Sequence, residues 1–128
     1  MKLNELTIQQ ARDGLKKGEF TSVELTQACL KRIKERNKDI NAFISVFEEQ
    51  ALEEAKKADE LIKKKKQKAL TGIPFAVKDA ICTAGLRSTG AAKILDNYVP
   101  AFDATVIGKI REQGAVLLGK NNCDAFGH

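Results

Sequence analysis

An α/β fold is predicted, with a helical N-terminal layer over residues 1–69 and, from residue 70, the first strands of a mixed sheet flanked by helices. Three observations predict it. Apolar residues recur at helical spacing in the first part. Only Gly14 and Gly18 precede residue 70, whereas Pro74, Pro100 and the other glycines follow it, so turns concentrate there. After Gly72 the segments read strand, irregular loop, helix, strand, which is the order of a crossover unit joining parallel neighbours.

Length and composition agree with one domain. The chain has 128 residues, 43% hydrophobic and 30% charged, enough apolar content for a core and too much for a disordered tail. No window approaches the ~18 apolar residues of a membrane span. Met1-Lys2-Leu3-Asn4-Glu5 lacks the layout of a secretory signal, so a cytoplasmic protein without membrane association is expected. The net charge of +5 favours encounter with anionic partners. Cys29, Cys82 and Cys123 are odd in number and have no metal-ligand spacing, so reduced thiols are expected.

The elements follow in order. Ile8, Ala11 and Leu15 mark a short helix that Gly18 ends. Thr21-Ser22-Val23-Glu24 is a capping box, and Leu25, Ala28, Cys29 and Ile33 behind it form an apolar stripe running toward Asn37. Ala42 to Phe47 is β-branched and aromatic, suited to a short strand or buried connector. From Glu48 a third helix sets Ala51, Ala55, Ala58 and Ile62 on one face, with Glu53/Lys57, Asp59/Lys63 and Glu60/Lys64 as i,i+4 pairs on the other. Ile73 to Lys78 reads as a strand with Ile73, Phe75 and Val77 on one face and Pro74, Ala76 and Lys78 on the other. Asp103 is placed to cap a helix carrying Val106, Ile107 and Ile110, Gly114 to end it, and Ala115 to Leu118 to form a buried strand delivering Gly119-Lys120.

Several groups of residues could carry chemistry. Lys78 lies at the end of an apolar strand, where burial would favour the neutral amine and make it a base toward a hydroxyl nucleophile. Lys120 has nearly the same local setting, and pattern alone does not choose between them. Gly114 to Lys120 matches the spacing of a phosphate-binding loop, but Asn121 replaces the Ser or Thr that would reach magnesium, and the intervening residues are an apolar run. Cys123 with His128, the sole histidine, lacks a third orienting group, and Ser88-Thr89 after Gly85 reads as turn chemistry. Lys63 to Lys66 with Lys68 could meet RNA phosphates, although a helix end draws cations anyway and no aromatic residues interleave to stack bases.

The stretch Leu70-Thr71-Gly72-Ile73-Pro74-Phe75-Ala76-Val77-Lys78-Asp79 resembles the amidase signature family. Leu95 to Pro100, Asp103 to Val106 and Gly114 to Asp124, with Gly18 to Ser22, Glu24-Leu25 and Asn41 to Phe43, are similar to its branch of tRNA-dependent amidotransferase A subunits. The resemblance covers the whole chain. It implies that Lys78 is the lysine of a Ser, cis-Ser, Lys triad acting on the carboxamide of glutamine. It also implies B and C subunits as partners, and mischarged Glu-tRNA(Gln) or Asp-tRNA(Asn) reached through the complex. No cofactor is implied in this chain, with ATP and magnesium at the partner subunit. Both serines would lie beyond residue 128, making the chain an N-terminal part of a single amidase domain, inactive alone. Ala80, Asn121, Cys123 and Ala125 stand where the family shows Asn, Thr, Met and Glu.

Two other functions fit the sequence: a stand-alone amidase for small carboxamides, and a non-catalytic basic module for RNA binding or assembly. If the strands at 73–78 and 115–118 pair with segments beyond 128, the isolated chain is expected to aggregate through open sheet edges. A cooperative melt of monomeric 1–128 is the measurement that contradicts this.

Overall fold

The computed structural model describes residues 2–128. Three helices come before the main strands: α1 (Ile8–Lys17), α2 (Ser22–Ile40) and α3 (Glu48–Lys63). Strand β1 (Phe43–Val46) lies between the last two. Then come β2 (Pro74–Lys78), α4 (Thr105–Glu112) and β3 (Val116–Asn121). The sheet order is β1-β3-β2, with β3 parallel to β2 and antiparallel to β1. The expected crossover is therefore β2-α4-β3, and the connector at 42–47 is a strand. β3 is central, meeting β2 over 116–121 and β1 over 119–121, so the open edges expected of the isolated chain are those of β1 and β2.

Local chemistry explains the helix limits. Thr7 and Thr21 both cap through reciprocal boxes: Thr21 Oγ1 accepts from the Glu24 amide at 3.1 Å while Glu24 Oε2 accepts from the Thr21 amide at 2.8 Å. Gly18 ends α1 in the left-handed region at φ +73°. Helix α2 runs past Asn37 to a left-handed Asn41, and its buried stripe is Ser22, Leu25, Thr26 and Leu30. Helix α3 buries Ala51, Ala55 and Ala58, small residues that let α2 and β3 approach closely. Lys63 to Lys66 are exposed at its C-terminal end, where the dipole favours them.

The i,i+4 pairs expected on α3 are replaced by longer connections. Among the described residues none of Glu53/Lys57, Asp59/Lys63 and Glu60/Lys64 is an ion pair. Asp59 instead accepts from the amides of Ser22 and Val23 at 2.7 and 3.2 Å, satisfying orphan donors of α2. Glu54 accepts from the Leu117 amide of β3 at 2.9 Å. Asp103 does not cap α4, whose N-cap is Ala104 without a side-chain bond. Its carboxylate takes the Ala84 amide at 2.7 Å and lies 3.8 Å from Arg111.

Three apolar clusters fill the interior. Leu30, Ala51, Ala55, Val116 and Leu118 pack one sheet face; Val77, Ile107 and Leu117 pack the other, with Phe75 against them. Ile73 precedes β2 and departs from its expected face, joining Ala11, Leu15 and Leu25 beneath α1. On α4 only Ile107 is buried; Val106 is exposed and joins Ile94, Tyr98, Val99 and Phe102 among the exposed large apolar residues.

Two glycines predict opposite responses. A Cβ on Gly119 would stand 2.3 Å from the Ser45 carbonyl oxygen of β1, so Gly119→Ala is expected to destabilise by about 1–3 kcal/mol. Gly108 in α4 has open space around it, so Gly108→Ala is expected to stabilise by about 0.5–1 kcal/mol. Shifts of the urea midpoint in opposite directions check this.

Candidate active site

In a sheet with parallel strands, ligand chemistry collects outside the carboxyl ends of the strands. Here those ends are Lys78 of β2 and Lys120-Asn121 of β3, which lie side by side with Val77 opposite Lys120 and Lys78 opposite Asn121. Adjacent rows of a sheet project to opposite faces, so the two lysines leave the strand ends in different directions.

Their environments differ as sharply as two lysines can. The strand β3 continues through Lys120 instead of stopping at Leu118, which carries that side chain into the interior, where it is 0% exposed. Lys120 Nζ donates to the Ile81 carbonyl at 2.8 Å and to Ser88 Oγ at 2.7 Å, and lies 3.3 Å from Thr83 Oγ1. It also stands 3.3 Å from Asp79 Oδ1, itself 0% exposed. Burial pushes the amine below its ordinary value of 10.5, while the Asp79 carboxylate pulls it back up. With carbonyl, carboxylate and two hydroxyls around it, the nitrogen acts as a donor and has no lone pair to offer an incoming hydroxyl.

Lys78 is the reverse case. The expectation that it is buried is corrected: its side chain is exposed, and among the described residues its Nζ makes no hydrogen bond or ion pair. It lies against the backbone of a short turn, Ala125–Gly127, where a Cβ on Gly127 would come within 3.4 Å of Nζ. Burial thus selects Lys120, and availability selects Lys78.

The long connection after β2 is ordered by its own hydrogen bonds. Gly85 donates to the Pro100 carbonyl, Ser88 to that of Tyr98 and Ala104 to that of Cys82, each at 3.0 Å. Arg87 pairs with Asp96 and reaches Ser45 Oγ at 2.9 Å. Ser88 and Thr89 are more than turn residues. Ser88 Oγ receives Lys120 and turns toward the Leu86 carbonyl, and Thr89 donates to Asp79 Oδ2 from both its amide, at 3.0 Å, and its hydroxyl. A cavity of about 170 Å³ lies over this network, bordered by Asp79, Ser88, Tyr98 and Phe126. The phosphate-loop spacing at Gly114 to Lys120 is the turn after α4 running into β3, not a loop ahead of a helix. Cys123 and His128 share no hydrogen bond among the described residues, and the cysteines are free thiols.

The sequence profile of the family described as Amidase matches residues 24–128, taking in both lysines and the network between them. The chain belongs to the amidase family. Over 98% of its length it is 47% identical to the A subunit of the glutamyl-tRNA(Gln) amidotransferase of Thermoanaerobacter pseudethanolicus. Over 99% it is 48% identical to the protein of the same name from Desulforapulum autotrophicum. It covers 26% of each, so it spans about a quarter of the length of these amidase relatives. Among solved amidases, the peptide amidase of Stenotrophomonas maltophilia superposes with a TM-score of 0.90 at 30% identity, covering 95% of this chain and 26% of that one. The A subunit of the Thermotoga maritima glutamyl-tRNA(Gln) amidotransferase gives 0.72 at 35% identity, covering 98% and 25%. The α/β class expected from the sequence is that of the amidase fold.

Sequence reasoning missed Asp79 as a partner of Lys120. The only signal was that each lysine closes an apolar run, one of them with a carboxylate next to it.

The network predicts a stability signature. Lys120→Met leaves Asp79 as an unpaired buried charge and is expected to cost about 3–5 kcal/mol. The double variant with Asp79→Asn is expected to cost less than the sum of the two single variants. A double-mutant cycle from equilibrium unfolding measures this. The sign with pH also follows. Since the folded-state pKa of Lys120 is lowered, between that value and 10.5 the unfolded chain binds more protons, so this group's contribution to stability rises with pH through that interval.

Proposed function

We propose that Lys78 is the proton-accepting lysine of a glutamine-hydrolysing centre, and that the chain forms the N-terminal part of the A subunit of a tRNA-dependent amidotransferase. The observation that carries this reading is the 47% identity across 98% of the chain to relatives bearing that name, with Lys78 free at the carboxyl end of β2. In this scheme the neutral amine of Lys78 takes the proton of a bridging serine. That serine takes the proton of a second serine, whose oxygen attacks the carboxamide of glutamine. The C–N bond breaks with return of the proton to the leaving nitrogen, ammonia departs, and water hydrolyses the acyl-enzyme.

The two serines are supplied by sequence outside these 128 residues, and the single amidase domain extends beyond them. Desolvation of Lys78, exposed in this chain, falls to the same remaining sequence. The ammonia passes to a B subunit that uses ATP and magnesium to activate glutamate or aspartate on a mischarged tRNA, with a C subunit completing a cytoplasmic complex. By this scheme residues 1–128 alone release no ammonia.

A second reading, a stand-alone amidase for a small carboxamide, is favoured by the higher TM-score of 0.90 to the peptide amidase. The relatives' sequence identity favours the first. Co-purification with a B-type partner, and glutamine hydrolysis that rises in its presence, separates the two. In the full-length protein within its complex, Lys78→Met is expected to lower ammonia release from glutamine by about 10²–10⁴-fold. Undiminished release overturns the assignment.

A further inference from the structure

We propose that the buried Asp79–Lys120 pair, tied to Thr89, positions Lys78 for proton transfer: Asp79 and Lys120 are positioning residues that touch no substrate. The inference rests on the role given to Lys78 above and deepens it.

Asp79 follows Lys78 directly and is held through its amide, its carbonyl and one carboxylate oxygen. Its amide donates to the Asn121 carbonyl at 3.0 Å, and its carbonyl accepts from the Gly90 amide at 3.0 Å. One carboxylate oxygen takes the Thr89 amide and hydroxyl, and the other faces Lys120 at 3.3 Å. The Lys78 carbonyl itself accepts from the Ile81 amide at 3.0 Å. These bonds fix the backbone from which the Lys78 side chain springs.

The same network supplies the wall against which that side chain lies. Gly90 follows Thr89, and its carbonyl accepts from the Phe126 amide at 2.6 Å. That bond docks the turn Ala125–Gly127, whose Gly127 backbone faces Lys78 Nζ. At φ +72°, Gly127 holds a conformation that side chains rarely adopt, and it presents no Cβ to the amine. A free lysine side chain samples many rotamers, and a misplacement of about 1 Å at a reacting group costs on the order of 10²-fold in rate. Lys120 cannot substitute as base because its donors are engaged, but it neutralises Asp79, and Asp79 sets both the origin and the wall of Lys78.

The test uses the full-length protein in its complex, with glutamine as substrate. Thr89→Val removes the hydroxyl bond to Asp79 while keeping the side-chain volume, and Thr89→Ser keeps the hydroxyl. Thr89→Val is expected to lower kcat by about 10- to 100-fold with KM unchanged, and Thr89→Ser to restore kcat toward the parent value. If Thr89→Val does not fold, Ser88→Ala, which removes one acceptor from Lys120, is expected to show the same split of kcat from KM. A parent-like kcat in the soluble Val variant, a loss shared equally by Thr89→Ser, or a loss fully explained by fewer folded molecules overturns the proposal. Lys78→Met separates the two levels. If it abolishes ammonia release and Thr89→Val does not impair it, only the positioning role fails; if Lys78→Met is active, the assignment of Lys78 fails and the positioning role with it.

Discussion

The carboxyl end of the sheet depends on one buried ion pair, Lys120 with Asp79. Withdrawing an ammonium and a carboxylate from water costs several kcal/mol per ion, and their attraction offsets this only when the remaining donors and acceptors are also met. Here Thr89 serves one carboxylate oxygen of the acid and Ile81, Ser88 and Thr83 take the donors of the base, while Asp79 Oδ1 has no hydrogen-bond partner among the described residues and is offset by the ammonium charge 3.3 Å away. Every one of those partners belongs to the connection that follows β2. A segment with few apolar anchors is thereby given a single conformation by the need to satisfy two charges, and an irregular loop becomes part of the rigid floor of the site.

The helical layer is joined to the sheet by similar means. Ala51, Ala55 and Ala58 bring α3 close to its neighbours, but alanine contacts alone specify axial register poorly. Asp59 on the N-terminal amides of α2 and Glu54 on the Leu117 amide of β3 supply that register. Each carboxylate meets backbone donors that would otherwise lack partners, so sliding α3 by one turn would forfeit both bonds and leave those amides unsatisfied.

What could be read from the chain follows from the range of the interactions. The Thr21-to-Glu24 box, the Gly18 stop and the alanine stripe of α3 act within a turn or two of helix, and each is present as expected. The parallel pairing of β2 with β3 follows from the order of segments and the handedness of crossovers. Asp59 and Asp103 were misassigned for one shared reason. Local spacing offered each a neighbour, an i+4 lysine or the helix start beside it, whereas the fold brought backbone amides from residues 22 and 84. The two lysines could not be told apart because both close an apolar run. Only the extension of β3 through Lys120, and its pairing with Val77, shows which one enters the interior.

That division bears on how a lysine can serve as a base. Burial lowers the pKa of an amine, but a buried amine must also meet its own hydrogen-bond demand, and Lys120 meets it so fully that nothing is left for chemistry. An amine that is to accept a proton needs a fixed origin, a free lone pair and shielding from water that arrives with the reacting groups. Asp79 gives Lys78 the first, and the Lys78 Nζ, unlike that of Lys120, is committed to no hydrogen-bond partner among the described residues. In the proposed enzyme the third is conferred by the segment that brings the serines. Desolvation and reactants would then arrive on the same surface, and proton transfer would begin only where the acceptor and its hydroxyl partner are assembled together.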